Sequence, residues 1–120
     1  MPRKEMIADC LRRYARWRIG LVEEGDCGRN ARSAVALINA ADYVTTLDEH
    51  AGVMVRMAVA GCFKGDRFEP GAEGERIIRG WHYATGPAGP DQLLESLATA
   101  AERGAASPRR RTAGPQTAGL

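Results

Sequence analysis

Residues 7–21, with the sequence IADCLRRYARWRIGL, carry the clearest structural pattern of the chain. Apolar side chains recur there at intervals of three and four residues, which is the spacing of one helix face; they are Ile7, Cys10, Tyr14, Trp17 and Leu21. Arg12, Arg13 and Arg16 lie on or beside the opposite face. The pattern predicts an amphipathic helix over residues 3–24 that docks its apolar face and presents arginine to water or to an anion.

Further segments of the chain show the same one-sided pattern. A second helix is expected to start at Arg29 or Asn30, and its apolar stripe is Ala34, Leu37, Ile38, Ala41 and Val44. Thr46 and Glu49 have the spacing of a capping box, which predicts the start of a third helix. Two more helices are predicted over residues 73–84 and 91–103; Pro90 opens the second of these and Gly104 ends it.

These segments predict an all-α fold in which residues 3–103 form one small bundle of four to five short helices. An α+β alternative stays open. Residues 51–63, AGVMVRMAVAGCF, are apolar on nearly all sides, and their valines are also typical of a strand. Residues 51–63 and 75–84 would then form a strand pair joined through the turn region at Gly65-Asp66.

Charge is distributed unevenly along the chain. Residues 1–20 carry six basic and two acidic residues, residues 21–103 carry eight and thirteen, and residues 104–120 carry three arginines and no acid. Residues 104–120 also lack apolar anchors before Leu120, so we expect a disordered basic tail. Basic ends of this kind bind either phosphates or the acidic body of the same chain, and both possibilities stay open.

The three cysteines, Cys10, Cys27 and Cys62, indicate a reducing compartment because they cannot all pair within one chain. The chain starts with the charged stretch MPRKEM rather than with a secretory apolar run, which favours a cytoplasmic protein. No apolar run approaches the roughly 18 residues that a membrane-spanning helix needs, so no membrane contact is expected. The cysteines and histidines form neither a CxxC nor an HxxxH pair, and no metal or other cofactor is expected.

Arg56 is the one charged residue of the apolar segment 51–63. A guanidinium in such a setting needs a carboxylate or carbonyl groups for its N–H donors. Asp42 and Glu49 are the carboxylates nearest in the sequence, and an ion pair within the bundle would satisfy it. The alternative is that Arg56 binds an anionic ligand in a pocket.

The segment from Arg76 to His82, RIIRGWH, resembles the catalytic motif of HEPN-domain ribonucleases, which are small helical proteins. In that family, an Arg and a His that follows after four to six residues lie on one late helix. The resemblance implies cleavage of RNA without a metal, usually within a dimer, with Arg76 and His82 as the catalytic pair. It covers these seven residues, and Ile77 stands where the family typically has a polar residue.

No motif for NTP hydrolysis, acyl transfer or glycoside cleavage occurs in the chain. The sequence therefore favours a small non-enzymatic regulatory or accessory protein that acts through protein–protein or weak nucleic-acid contacts. Its predicted binding residues are Arg12, Arg13, Arg16 and Arg56. The expected partner is another protein or a second copy of the chain in a homodimer, because an apolar face with Tyr14 and Trp17 is large for one helix. A metal-independent ribonuclease using Arg76 and His82 is the alternative function.

Overall fold

Five helices and one short hairpin follow one another in a computed structural model, which describes residues 2–113 and the side chains of residues 2–105. The helices are α1 (Arg3–Ile19), α2 (Arg29–Val44), α3 (Gly52–Val59), α4 (Gly71–Gly80) and α5 (Pro90–Ala113). The strands β1 (Phe63–Lys64) and β2 (Arg67–Phe68) pair antiparallel between α3 and α4. The predicted all-α class is confirmed. The α+β alternative is wrong, because most of residues 51–63 and 75–84 is helical.

The helices α1 and α2 pack against each other as an antiparallel pair. Their buried side chains include many small ones, which let two helices approach closely: Ala8 and Ala15 on α1, and Ala34, Ala40 and Ala41 on α2. Near the start of α1, the Glu49 carboxylate accepts hydrogen bonds from the backbone N–H groups of Arg3 and Lys4, each at 3.1 Å. A carboxylate is favourable there because the first N–H groups of a helix lack partners within the helix.

The buried face of α1 differs from the predicted one. Trp17 is 39% exposed, and Leu21 lies beyond the end of the helix and is 43% exposed. Leu11, Ala15 and Arg18 are buried instead. Both sets of residues have helical spacing, but the small side chain of Ala15 leaves room for a neighbouring helix where an indole would not. The helix also ends at Ile19 rather than near residue 24, since Gly20 begins a series of turns.

The capping box predicted at residues 46–49 does not form. The Thr46 hydroxyl donates to the backbone carbonyl of Tyr43 at 2.7 Å, at the end of α2. The Glu49 carboxylate binds the start of α1, and α3 begins only at Gly52.

Helix α3 is a short surface helix rather than the buried centre of a bundle. Met54 and Met57 are its buried side chains, three residues apart on one helix face. Val55 and Val59 are 42% and 83% exposed. A strand would have placed Val55, Met57 and Val59 on the same side, which is a further reason why the strand interpretation fails.

The long helix α5 packs against α2, α3 and α4. Leu93, Leu94, Leu97 and Ala101 are buried on one face of this helix, and its predicted start at Pro90 is confirmed. The helix continues through Gly104 to Ala113, so the predicted end at Gly104 is wrong. One glycine costs a helix only about 1 kcal/mol relative to alanine, and Ala105 and Ala106 follow it. Residues 114–120 of the predicted tail lie outside the described residues.

Helix α4 packs against α5 through a glycine. A Cβ atom on Gly74 would lie 2.8 Å from Cβ of Pro70 and 3.5 Å from Cδ2 of Leu97. Ile78 and Trp81 are buried as their spacing predicts. The helix ends at Gly80, before the predicted end at residue 84.

The hairpin between α3 and α4 pairs Phe63 with Phe68 and Lys64 with Arg67. Gly65 in its turn has a φ of 63°, a conformation that glycine adopts without steric cost. Phe68 is buried, with its ring centroid 5.5 Å from that of Phe63, whereas Arg67 is exposed. Because β2 contacts α1, the hairpin brings Arg67 to the surface of that helix.

Candidate functional site

A groove of about 560 Å³ lies between α1, β2 and α4. Three arginines line it: Arg13 from α1, Arg67 from β2 and Arg79 from the last turn of α4. Tyr14 and Trp17 supply an aromatic wall. A volume of this size lies within the roughly 300–1,000 Å³ range of ligand pockets.

The α1 side of the groove is formed by residues that the sequence assigned to the core. Cys10, Tyr14 and Trp17 belong to the predicted apolar face, and all three line the groove. Cys10 is buried, whereas the aromatic side chains are partly exposed. These three residues therefore form a face of α1 that lines the groove, and this face lies beside the one that packs into the core.

The two glutamates of the groove already have partners. The carboxylate of Glu75 accepts a hydrogen bond from the Tyr14 hydroxyl and lies 3.9 Å from the Arg79 guanidinium. Glu69 lies 3.9 Å from Nζ of Lys64. Burial and the hydrogen bond to Glu75 raise the pKa of Tyr14 above its ordinary value, so its hydroxyl remains a donor at neutral pH.

Arg13 and Arg67, by contrast, have no carboxylate within ion-pairing distance among the side chains of residues 2–105. Both are exposed at the surface of the groove. The groove therefore has two cationic side chains whose N–H donors remain available to a ligand.

Arginine side chains and aromatic rings alternate from the groove towards the start of α2. The Arg79 guanidinium lies 5.4 Å from the ring centroid of Trp17, and that of Arg18 lies 4.7 Å from Trp17 and 3.9 Å from Tyr83. Arg29 lies 4.5 Å from Tyr83. Cations at these distances are attracted by the ring faces. The contacts hold Arg79 in position while 54% of its side chain stays exposed.

Arg18 is a buried guanidinium, only 7% exposed. Nη1 donates to Oδ1 of Asn30 at 2.8 Å, and Nη2 donates to the backbone carbonyl of Arg79. Its Nε has no partner among the described side chains. Burial lowers the pKa of Arg18, although a guanidinium stays charged at physiological pH. Arg18 thus joins α1 to α2 and holds the end of α4, where helix carbonyls lack partners within the helix.

Of the predicted binding residues, Arg13 lines the groove and Arg16 is exposed on the same helix. Arg12 lies between two carboxylates, 3.8 Å from that of Asp9 and 3.7 Å from that of Asp42. The side chain of Arg12 is therefore directed towards α2.

Arg56 forms ion pairs with α5 rather than with the carboxylates predicted from the sequence. Its guanidinium binds Glu102 at 2.8 Å and also pairs with Glu95. The predicted partners, Asp42 and Glu49, are wrong because α3 packs on α5. Glu102 and Glu95 raise the pKa of Arg56 above its ordinary value. The structure thus places Arg56 away from the groove and in a contact between two helices.

Arg76 and His82 are not carried on one helix. Arg76 is exposed on α4, which ends at Gly80, and His82 has a left-handed φ of 57°. Nε2 of His82 lies 2.8 Å from the carbonyl oxygen and 3.0 Å from the amide nitrogen of Ala88. The imidazole therefore closes the loop over residues 83–88, and neither residue of the pair lines the groove.

Two of the groove arginines, Arg67 and Arg79, had no signal in the sequence. They come from segments more than 50 positions after Arg13, and only the contact of β2 and α4 with α1 brings them to it. The α+β alternative placed a turn at Gly65-Asp66, and a short hairpin does form around it, with Arg67 paired to Lys64.

Within the part of the chain that the structure describes, no cluster of His, Cys, Asp and Glu side chains is suited to hold a metal ion. No helix in residues 2–113 is long and apolar enough to cross a membrane. Comparison of the chain with protein-family models, with curated proteins and with solved structures found no match.

Proposed function

We propose that this chain is a small non-enzymatic accessory protein whose groove between α1, β2 and α4 binds an anionic ligand. The observation that carries the proposal is the pair of arginines, Arg13 and Arg67, that face one groove without carboxylate partners among residues 2–105. Paired guanidinium groups are well suited to carboxylates and phosphates, because their donors match the geometry of these anions.

The exposed apolar residues after Trp17 support a macromolecular partner. Ile19, Leu21 and Val22 are 52%, 43% and 51% exposed, and they follow the groove face of α1 in the chain. Adjacent exposed apolar side chains commonly mark a protein contact. The proposal therefore includes a protein partner or a homodimer that contacts these residues, in the cytoplasm as the free cysteines suggest. Sedimentation velocity of the full chain and of Leu21→Asp would measure the self-association.

A ribonuclease function has less support from the geometry. The helix that carries Arg76 ends before His82, and the His82 ring is engaged by the backbone of Ala88. A general base or acid must reach the proton that it transfers.

The anion site can be tested by NMR with inorganic pyrophosphate as the probe. We expect the side-chain Nε–Hε signals of Arg13 and Arg67 and the backbone amides of residues 71–75 to shift at low ionic strength. The double variant Arg13→Gln/Arg67→Gln is expected to abolish these shifts.

The matched control Lys4→Gln/Arg32→Gln removes the same charge outside the groove, and the shifts should persist in it. Shifts that are spread evenly over all basic residues, or that persist in Arg13→Gln/Arg67→Gln, would show that the groove is not the anion site.

A further inference from the structure

We infer, on the basis of the proposed groove function, that the anionic ligand is single-stranded nucleic acid, with phosphates bound by Arg13 and Arg67 and a base stacked on Arg79. Two features carry this assignment. One is the arrangement of charge around the groove, and the other is a flat cationic surface that is held in place by aromatic rings.

The charge around the groove suits a phosphate backbone. Arg13 and Arg67 come from α1 and β2, so a bound phosphate can receive donors from two elements. Arg16 lies one helical turn beyond Arg13 and is also exposed. The first turn of α4 adds the positive end of a helix dipole, and its N-cap residue, Pro70, supplies no side-chain hydrogen bond to that turn.

Arg79 supplies the flat surface. Its guanidinium lies 5.9 Å from the ring centroid of Tyr14 and 5.4 Å from that of Trp17, and its backbone carbonyl accepts a hydrogen bond from Arg18. One side of the guanidinium thus faces the rings, while more than half of the side chain is exposed. Nucleic-acid bases stack on guanidinium planes as they do on aromatic rings. A base could therefore lie on the exposed side of the Arg79 guanidinium.

The need for an accessible base favours a single strand over a duplex. In a duplex the faces of the bases are covered by their neighbours, whereas a single strand can present a base to a protein surface. The guanidinium of Arg79 lies beside Tyr14 and Trp17 in the groove, where a base that protrudes from a single strand could reach it. An acidic peptide would satisfy Arg13 and Arg67 but would leave the stacking surface of Arg79 without a partner.

Fluorescence anisotropy on the full chain tests the inference with labelled strands of about 12 nucleotides, a length within the span of known single-strand sites. The probes are oligo-dT, oligo-U, an abasic strand of equal length, a duplex and an acidic peptide. We expect oligo-dT or oligo-U to bind with a slope of log K against log salt of about −2. This is the slope that three phosphate contacts to a single strand imply, one each from Arg13, Arg16 and Arg67. The abasic strand is expected to bind at least about fivefold more weakly, because it has phosphates but no base to stack.

Three variants separate the two parts of the site. Arg13→Gln/Arg67→Gln should weaken binding of the strand at least tenfold at low salt and bring the slope about 1.4 closer to zero, since two phosphate contacts are lost. Arg79→Lys keeps the positive charge but removes the planar guanidinium on which a base would stack. Binding should therefore weaken about fivefold or more, while the slope of log K against log salt stays unchanged. The control Lys4→Gln/Arg32→Gln should weaken binding less than threefold. Thermal melts of all variants verify that each is folded.

Equal binding of the abasic and base-bearing strands, or equal binding of the duplex, would overturn the inference. Binding of the acidic peptide through Arg13 and Arg67 without binding of either single strand would also overturn it while leaving the proposed anion site intact. If no probe binds and pyrophosphate shifts no groove signal, both proposals fail together.

Discussion

Arg18 and Trp17 are neighbours on α1, yet the charged residue is buried and the aromatic one is partly exposed. Arg18 can be buried because its guanidinium is hydrogen-bonded within the protein. The Arg18 guanidinium satisfies the side chain of Asn30 and a carbonyl at the end of α4, and its flat faces pack on the rings of Trp17 and Tyr83. Trp17 contributes packing to the groove wall but has no polar role in the core.

Arg18→Met is therefore expected to destabilise the protein more than Trp17→Ala. The methionine fills a similar volume but leaves a buried acceptor on Asn30 and a partly buried carbonyl of Arg79 without donors, and the buried one alone costs about 1–3 kcal/mol. For Trp17→Ala we expect a cost of about 1 kcal/mol, because part of the indole already contacts water. Urea denaturation of both variants measures the difference. A larger loss for Trp17→Ala would mean that its indole belongs to the core.

The three cysteines differ in burial, which predicts their reactivity. Burial raises the pKa of Cys10 to about 11, and burial also raises that of Cys62. Cys27 is exposed in the turn before α2. At pH 8 we expect one of the three thiols to react rapidly with a disulfide reagent, because only an accessible thiolate is nucleophilic.

Cys27→Ser is the control for this measurement and should remove the rapid phase. In denaturant all three thiols of the unmodified chain should react. Two rapid phases in the native protein would contradict the burial of Cys10 or Cys62.

Helix α4 lines one side of the groove, and a Cβ atom on its Gly74 would lie only 2.8 Å from Cβ of Pro70. The ring of Pro70 cannot move away from an added Cβ, because it is rigid and directly precedes the helix. Gly80, in the last turn of the same helix, has more room. Its nearest neighbour would be Cβ of Ala84 at 3.7 Å, which is an ordinary contact.

Replacement of Gly74 and of Gly80 by alanine should therefore change the stability in opposite directions. Gly74→Ala is expected to destabilise the fold by about 1–3 kcal/mol, because overpacking outweighs the better helix propensity of alanine. Gly80→Ala is expected to stabilise it by up to about 1 kcal/mol through that propensity alone. Thermal melts of the two variants, measured side by side, test the prediction. A gain in stability for Gly74→Ala would show that Pro70 can shift away from the added Cβ atom.

At the scale of the whole molecule, the buried core involves residues 6–101. The last buried side chain of α5 among the described residues is Ala101. We expect that deletion of residues 106–120 changes the melting temperature by only a few degrees, because the sequence of this segment has no large apolar residue before Leu120 and so offers little apolar surface to bury. Calorimetry of the shortened chain measures this. A decrease of more than about 10 °C would mean that the segment docks on the bundle.

The sequence predicted those parts of the molecule in which local pattern and tertiary packing agree. The leucines of α5 occur on one helix face only, so its core face was unambiguous. On α1, two sets of residues have helical spacing: Cys10, Tyr14 and Trp17 form one, and Leu11, Ala15 and Arg18 form the other. The position of α2 decides which of the two sets packs into the core. Tertiary contacts likewise determine that Arg67 and Arg79 lie in the groove and that Arg56 pairs with residues of α5, and neither could be predicted from local sequence.

The hydrogen bonds from Arg3 and Lys4 to Glu49 connect backbone groups to a carboxylate 46 and 45 positions later in the chain. Pro2 provides no side-chain cap of its own, so the capping hydrogen bonds of the first turn of α1 come from Glu49. During synthesis this turn stays uncapped until residue 49 has left the ribosome and α2 has folded back along α1. Amide exchange of the first turn should consequently report the closure of the two-helix pair rather than the helicity of α1 itself.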